Sequence, residues 1–287
     1  MSSADGVSCA GVIRSDECRW TDLLADQYVV ADRDRLVLDQ RSGWARRWLV
    51  TWRVSGGQVV CPVQDMGGFP LTGCEPVRAF SWRTTQRHRP GLAFLVSTGR
   101  HHGFESIAEQ RLLLVMDFAA DVVDVLSQPL RLRFLCTGGS AEHVPDFLVV
   151  ARETDREVVW LVDVRPVGRV GEGDRVRFAA SAEAALVCGW RYVVVCGWRP
   201  QVWASVEALS AQRRELTDPL GIAEELLAAV ADGPAPLAQV VTAARYPALG
   251  RAHLLHLLWR RRLGTDLARP LGDRALVWAG RAGGCSL

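Results

Sequence analysis

Lysine is absent from this chain of 287 residues, and all 34 of its basic side chains are arginines. The absence excludes every mechanism in which a lysine acts at an active site. Arginine cannot replace it as a base, because arginine keeps its proton at any working pH. The 34 arginines nearly balance 32 acidic residues, and the resulting formal net charge of +2 indicates little about partners.

Long apolar runs are also absent. No segment reaches the ~18 uncharged apolar residues that indicate a transmembrane helix, and the first residues lack the basic start and apolar core of a signal peptide. We therefore expect a cytoplasmic protein without a membrane partner. The hydrophobic content of 49% and the mean hydropathy of +0.07 supply ample material for a folded core.

Several common motifs are missing as well. The sequence has no P-loop, no GxGxxG, no internal repeat and no serine placed on a tight turn. Its eight cysteines are scattered without a CxxC pair, which predicts isolated reduced thiols. The remaining candidates for chemistry are acidic residues.

Three acids and one arginine stand in contexts that indicate a site. Glu109 lies in an amphipathic pattern that predicts a helix. Asp146 follows Pro145 at the head of the apolar run PDFLVV, and Asp163 and Arg165 end the run VVWLVDVR. Carboxylates that close neighbouring buried strands are poor packing residues but good ligands for a hard divalent cation. The pattern therefore predicts a metal site.

The chemistry predicted for this site is phosphodiester hydrolysis assisted by Mg²⁺ or Mn²⁺. Mg²⁺ prefers a few carboxylates and several waters, which Glu109, Asp146 and Asp163 can supply, with the main-chain carbonyl of Val164 as a further ligand. Arg165 cannot act as a base. It can orient a metal-bound hydroxide or stabilise the charge that develops at phosphorus.

Each of these residues also has a purely structural interpretation. Asp146 could cap the entry of a strand, Asp163 and Arg165 could form a surface ion pair, and Glu109 could be an exposed helix residue. Taken singly, these alternatives are the simpler explanations. Taken together, the order of the residues and the predicted elements favour a metal site.

The patterns divide the chain into three regions, of which the first is residues 1–97. This β-rich region contains a strand and an SGG turn that follow alternating tryptophans and arginines. Basic and aromatic residues alternate again in PVRAFSWRTTQRHRPG, a pattern that suits both a nucleic-acid backbone and a solvated edge strand. Arg83, Arg87 and Arg89 are the candidate DNA contacts in this stretch.

Residues 98–215 hold the acids and have the pattern of a mixed α/β domain. A helix is predicted from about Glu105 to Phe118, with Glu105 and Glu109 on one face. Strands follow at DVVDVL, LRLRF, DFLVVA and EVVWLVDV, then a helix from about Arg177 and a strand at YVVVC. Near-continuous valine and leucine runs predict strands that are covered on both faces. The stretch RPVGRVGEGDR predicts a flexible basic loop.

Residues 216–287 differ in character from the rest. GIAEELLAAVA, PLAQVVTAA and LGRAHLLHLLWRRRLGT predict three short helices, and DLARPLGDRALVWAG predicts a hairpin. This is the order of a winged helix-turn-helix, whose third helix meets DNA. Arg251, Arg260, Arg261 and Arg262 are the candidate phosphate contacts. A protein-binding adaptor, in which these arginines are merely solvated, fits the pattern equally well.

The motifs around the acids together resemble a known family. GFESIAEQRLLLVMDFAADVVDVLSQPLRLRF, HVPDFLVV and VVWLVDVRP are similar to the TnsA-like endonuclease subunits of heteromeric transposases, in their actinobacterial form. Gln128 and Pro129 match the QP step of that family. On this alignment the catalytic glutamate of the family falls on Glu109 and its aspartate on Asp146.

The closing acid-x-lysine pair of the family falls on Asp163 and Arg165, where arginine replaces lysine. The likeness covers about residues 78–200. It implies a restriction-endonuclease-like mixed sheet flanked by helices, and cleavage of the 5′, non-transferred strand at transposon ends. The partners that it implies are DNA, a DDE-type integrase that joins the 3′ ends, and an AAA+ ATPase regulator.

Two other functions stay open. Arg165 and the absence of lysine suit a non-catalytic DNA-binding or scaffold subunit that uses the same fold. A stand-alone restriction or junction-resolving nuclease would cut DNA without any partner. Metal binding that depends on the acids separates the scaffold from the nucleases, and cleavage without a partner identifies the stand-alone enzyme.

Overall fold

The computed structural model describes residues 11–25, 27–78, 90–166 and 168–281. They divide into two compact units. The larger unit runs from Leu24 to Gly197, and the smaller unit combines the residues up to Leu23 with those from Trp198 onward. These divisions do not coincide with the predicted boundaries at 97/98 and 215/216.

In its described residues the larger unit contains eleven strands and four α-helices. The strands are β1 (Leu49–Val54), β2 (Gly57–Pro62), β3 (Cys74–Glu75), β4 (Gly91–Leu95), β5 (Arg100–Phe104), β6 (Val122–Ser127), β7 (Leu130–Cys136), β8 (Gly139–His143), β9 (Phe147–Glu153), β10 (Arg156–Val164) and β11 (Arg191–Val195). The helices are α1 (Asp32–Arg35), α2 (Trp44–Arg47), α3 (Ile107–Ala119) and α4 (Glu172–Val187). The unit is therefore mixed α/β, as the sequence predicted.

Two sheets carry most of these strands. One has the order β2-β1-β7-β8 with β3 attached to β1, and the other has the order β11-β10-β9-β6. In the second sheet β10 and β11 are parallel, and the remaining pairs are antiparallel. β4 and β5 form a separate antiparallel pair. The central strands β9 and β10 are the two runs for which the sequence predicted cover on both faces.

The N-terminal strands belong to the same unit as the acids, because β1 pairs with β7. Trp48 and Trp52 are fully buried in a core that also includes alanines of α4. Trp52 stacks on Phe69 with the ring centroids 4.9 Å apart. The predicted strand and its turn are confirmed, since β1 and β2 pair antiparallel across Ser55 and Gly56, both with positive φ.

The predicted helices beside the acids are confirmed, but both begin elsewhere. α3 begins at Ile107, because Ser106 is its N-cap. Glu105 therefore lies outside the helix, and the prediction that it shares a helix face with Glu109 is wrong. α4 begins at Glu172 rather than near Arg177, so the predicted basic loop is shorter. β8, whose residues are mostly small or polar, was not predicted.

The smaller unit is mainly helical. In the described residues its α-helices and strands are α5 (Pro200–Ser210), α6 (Ile222–Ala228), β12 (Ala235–Pro236), α7 (Leu237–Ala243), α8 (Pro247–Trp259), β13 (Leu263–Thr265) and β14 (Leu276–Ala279), and Trp20–Leu23 form a 3-10 helix. The three helices predicted after residue 216 are confirmed as α6, α7 and α8. β14 pairs with both β12 and β13. The first hairpin strand, β13, ends before the predicted stretch, where Asp266 instead turns the chain by accepting the Ala268 N–H at 2.9 Å.

Residues near the start of the described chain complete the smaller unit. The Ser15 N–H donates to the Thr265 carbonyl at 2.9 Å, and the Thr265 N–H donates to Ser15 Oγ at 2.9 Å. The Trp278 indole N–H donates to Asp16 Oδ1 at 2.9 Å. Segments far apart in the sequence therefore form one hydrogen-bonded structure.

Within the described part of the chain, no helix is long and apolar enough to cross a membrane. No disulfide joins the cysteines of these residues.

Candidate active site

Glu109 lies in the first turn of α3, where it completes the helix cap. Its N–H donates to Ser106 Oγ at 3.2 Å, and the Ser106 hydroxyl donates to Glu109 Oε1 at 2.7 Å. The Glu105 N–H donates to Glu109 Oε2 at 2.7 Å. Burial raises the pKa of Glu109 against the effect of these hydrogen bonds. Glu109 is thus a buried residue, and both of its carboxylate oxygens serve the cap.

Asp146 directly precedes β9, and Asp163 lies near the end of the neighbouring strand β10. β9 and β10 are antiparallel with Phe147 opposite Val162, so one further position along each strand places Asp146 opposite Asp163. The Val164 N–H donates to Asp146 Oδ2 at 2.7 Å. Asp163 is only 2% exposed, whereas Asp146 is half-buried. The structure thus brings together the two acids that the sequence placed at strand ends.

Negative charge is crowded around Asp146. Burial, the charge of Asp163 and the charge of Glu109 raise the pKa of Asp146 well above its ordinary value. The hydrogen bond from the Val164 N–H and the charge of Arg165 only partly oppose this rise. A carboxylate that is disfavoured in this way is stabilised by a cation placed beside it.

Two residues that sequence reasoning missed hold Asp163. His143 Nε2 hydrogen-bonds to Asp163 Oδ1 at 2.8 Å, and the Tyr192 hydroxyl donates to Asp163 Oδ2 at 2.7 Å. His143 ends β8 and stands three residues before Asp146 in the stretch HVPD. This closeness in the sequence could have identified His143 as a residue of the site. Tyr192 lies in β11, and only the pairing of β10 with β11 could have identified it.

Arg165 is held at the start of α4. Its guanidinium donates to Asp174 Oδ1 at 2.8 Å, and Asp174 Oδ2 accepts the Gly171 N–H at 3.1 Å. Asp174 was not identified from the sequence. Asp163 and Arg165 do not form the surface pair considered above, since Asp163 is buried and bonded to other residues in the described structure.

A cleft of about 900 Å³ opens over these acids. Glu109 and Asp163 are its buried acids. Among the described residues, six arginines line it, and the side chains of Arg78, Arg131, Arg165 and Arg177 are between 38% and 49% exposed. The arginines are Arg78, Arg111, Arg131, Arg165, Arg169 and Arg177. The cleft therefore combines an acidic interior with exposed guanidiniums, the side chains that bind phosphate bidentately.

The acids fit a cation only in part. In the described ranges, no group of three or more His, Cys, Asp or Glu side chains could hold a metal ion, and Glu109 is turned toward the cap. Asp146 and Asp163 form a smaller donor set. No described residue donates a hydrogen bond to Asp146 Oδ1, because the one bond to this carboxylate goes to Oδ2. Mg²⁺ is commonly held by one or two carboxylates and several waters, so this pair fits Mg²⁺ or Mn²⁺.

The other candidate DNA contacts lie elsewhere. Arg83, Arg87 and Arg89 fall outside the described residues. Each candidate arginine of the C-terminal region has an intramolecular acceptor: Arg251 bonds to Asp273 at 2.8 Å, Arg260 to Glu215 at 3.2 Å, Arg261 to the Cys18 carbonyl at 2.8 Å, and Arg262 to Glu224 at 3.2 Å. A phosphate at α8 would have to compete with these acceptors.

Comparison with known proteins assigns no family to the chain. No family model matches it, and no curated protein sequence matches it. The residues of the cleft and the resemblance of the surrounding motifs are therefore the basis on which a function can be proposed.

Proposed function

We propose that this chain is a metal-dependent DNA endonuclease, the subunit of a heteromeric transposase that cuts the non-transferred strand at transposon ends. The observation that carries the proposal is the pair of Asp146 and Asp163 on neighbouring strands within an arginine-lined cleft. The restriction-endonuclease-like fold, the DDE-type integrase and the ATPase regulator follow from the resemblance of the surrounding motifs to the TnsA-like family.

Charge supports a metal-dependent reaction in this cleft. The exposed guanidiniums attract a phosphodiester, whereas ionised Asp146 and Asp163 repel it. Asp146 and Asp163 would no longer repel the phosphodiester if they held a divalent cation, because a cation attracts both the carboxylates and the phosphate.

Each residue of the cleft has a distinct task in this proposal. Asp146 and Asp163 would hold the metal with the Val164 carbonyl, and Glu109 would join them only if its carboxylate left the helix cap. The bound metal supplies a polarised phosphate and a more acidic water. Arg165, held by Asp174, cannot take up a proton and instead binds a phosphate oxygen as negative charge develops.

Removal of the metal should abolish cleavage. We expect transposon-end DNA with a label on each strand to stay intact when the chain and its integrase partner are incubated with EDTA. Excess Mg²⁺ or Mn²⁺ should restore a nick in the non-transferred strand, because the acids then have their cation. Nicking that persists in EDTA would reject the metal-dependent mechanism. Metal-dependent nicking without the partner would instead identify a stand-alone nuclease.

One observation favours the scaffold as a second candidate. Glu109 and Asp163 each have both carboxylate oxygens in hydrogen bonds, as structural acids do. Calorimetry with Mn²⁺ separates the two functions. A nuclease should give a binding heat that disappears in Asp146→Ala, whereas a scaffold should give no heat that depends on this residue.

We also propose that residues 222–279 form a winged-helix-like module that binds DNA or the transposase partner. The order α6-β12-α7-α8-β13-β14 supports this assignment. The intramolecular acceptors of the α8 arginines favour a protein partner over phosphates, although exposed ion pairs are weak and exchange readily.

Neutralising Arg260, Arg261 and Arg262 together tests which partner α8 meets. The salt slope of DNA binding is the slope of the logarithm of the binding constant against the logarithm of the salt concentration. Loss of three phosphate contacts would reduce the magnitude of this slope by about 3. Because each guanidinium already has an acceptor, we expect the slope to fall by less than about 1, with weaker capture of the transposase partner in a pull-down. A control that neutralises the exposed Arg33, Arg41 and Arg46 removes the same charge elsewhere. A slope lowered by about 3 in the α8 variant alone would establish phosphate contact.

A further inference from the structure

Asp163 is the most enclosed acid of the cleft, and packing fixes both of its partners. The side chains of Asp163 and His143 are 3% and 14% exposed. The His143 ring lies edge-on to Phe178 of α4, with the centroids 6.3 Å apart. Tyr192 pairs with Leu161 in the parallel β10–β11 ladder, and residues 161 and 163 share one face of the sheet. The Tyr192 hydroxyl therefore reaches Asp163 from the neighbouring strand.

The chemistry of the groups fixes the direction of both hydrogen bonds. An ionised carboxylate only accepts, so the protons lie on His143 Nε2 and on the Tyr192 hydroxyl. Burial and the charge of Asp163 raise the pKa of Tyr192 well above its ordinary value, and the hydroxyl keeps its proton. Each carboxylate oxygen has two acceptor positions. Both bonds thus leave one position on each oxygen for a further partner.

We propose that His143 and Tyr192 are positioning residues that clamp Asp163 and thereby set the affinity of the cleft for a divalent cation. The clamp rests on the metal site proposed above. A carboxylate held from two sides presents its remaining acceptor positions in one fixed direction, so little side-chain freedom is lost when a cation binds. The two donors come from β8 and β11, so the clamp also ties the cation site to both sheets of the larger unit.

Tyr192→Phe tests the clamp, because it keeps the ring and removes only the hydroxyl. We expect the affinity of the full chain for Mn²⁺, measured by calorimetry, to fall by about 10- to 100-fold, the usual loss when a group that orients a metal ligand is removed. Tyr28→Phe is the matched control. It removes a hydroxyl that donates to the Asp34 carboxylate at 2.9 Å, outside the residues that line the cleft, and it should bind Mn²⁺ like the wild type.

A pair of substitutions at His143 separates positioning from packing. His143→Ala should weaken Mn²⁺ binding by a similar factor. His143→Gln, whose amide N–H can still donate to Asp163, should recover most of the lost affinity. The thermal unfolding midpoint of each variant shows whether the fold is intact. We expect His143→Gln to bind Mn²⁺ more tightly than His143→Ala even though the two variants have equal midpoints.

The outcomes test separately the role of His143 and Tyr192 as a clamp and the presence of a metal site at Asp146 and Asp163. If Tyr192→Phe and His143→Ala bind Mn²⁺ as tightly as the wild type, the clamp is overturned and the metal site remains. Equal weakening by His143→Ala and His143→Gln would overturn it as well. If the wild type shows no Mn²⁺ binding that Asp146→Asn removes, the metal site itself is wrong, and the clamp fails with it.

Discussion

Asp146→Asn is expected to abolish strand cleavage and, at the same time, to make the folded chain more stable. The substitution keeps the shape of the side chain and an acceptor for the Val164 N–H, which donates to Asp146 Oδ2 at 2.7 Å. It removes a charge that would hold the metal. Nicking should therefore fall by at least about 10³-fold, equivalent to about 4 kcal/mol of transition-state stabilisation.

The gain in stability follows from the crowded charge at Asp146. Burial and the charges of Asp163 and Glu109 raise the pKa of Asp146 in the folded chain. Below the unfolded-state pKa of about 3.9, the carboxyl is protonated in both states, and the cost of its charge is absent. As the pH rises from there through the raised pKa, the folded chain loses stability, because the carboxyl ionises more readily in the unfolded chain than in the folded one. Asparagine does not ionise, so the free energy of unfolding of the variant should exceed that of the wild type by about 0.5–2 kcal/mol at neutral pH. The thermal unfolding midpoint should rise by ~2–4 °C for each kcal/mol.

Thermal unfolding in metal-free buffer measures this effect. The difference in unfolding midpoint between the variant and the wild type should be small near pH 4 and should increase toward pH 8, because only the wild type acquires a charge at residue 146. Asp155→Asn, an exposed position in the turn between β9 and β10, should show no such widening. Normal cleavage by Asp146→Asn would exclude Asp146 from the site. A variant less stable than the wild type at neutral pH would contradict the crowding of charge.

Trp52→Ala is expected to destabilise the larger unit by about 3–5 kcal/mol. Trp52 is fully buried. Its ring stacks on Phe69 at 4.9 Å and meets Trp190 edge-on at 6.3 Å. Trp52 lies in β1 of the first sheet and Trp190 directly precedes β11 of the second, so the packing of the Trp52 ring connects both sheets. The expected loss is a large part of the total stability, because domains are commonly stable by only about 5–15 kcal/mol. The fraction of folded variant should therefore fall, and its Mn²⁺ binding should fall with it.

Urea unfolding followed by circular dichroism measures the cost of Trp52→Ala. Leu36→Ala is the control in the same unit, because Leu36 is 81% exposed and surface substitutions usually change stability by no more than about 0.5 kcal/mol. If Trp52→Ala left the stability around the acids and their Mn²⁺ binding unchanged, β1 and β2 would belong to a region separate from the acids, as the predicted boundary at 97/98 implies.

The elements around the acids were predictable because their signals are local. β9 and β10 are apolar runs on either side of a short polar turn, so their pairing joins residues that are near in sequence. That pairing alone places Asp146 opposite Asp163. The approach of these two acids was therefore within reach of sequence reasoning.

The contacts that escaped prediction depend on distant segments or on a competing local signal. No local pattern specifies that β1 pairs with β7, or that Tyr192 reaches Asp163. The cap at Glu109 had a local signal, since Ser106 and Glu109 have the spacing of a capping box. The apolar pattern of the helix competes with this signal, because it extends the predicted helix back to Glu105 and leaves the Glu109 carboxylate free for a metal.

The hydrogen bonds between Ser15 and Thr265 determine the order in which the chain can fold during synthesis. The larger unit is one continuous segment, Leu24–Gly197, so it can fold as soon as that segment has emerged from the ribosome. The segment around Ser15 is made earlier, but Thr265, with which Ser15 exchanges hydrogen bonds, lies 250 residues later in the chain. At a synthesis rate of about 5–20 residues per second, this separation corresponds to a delay on the order of tens of seconds. The N-terminal segment can therefore join the smaller unit only after the chain around β13 has been made.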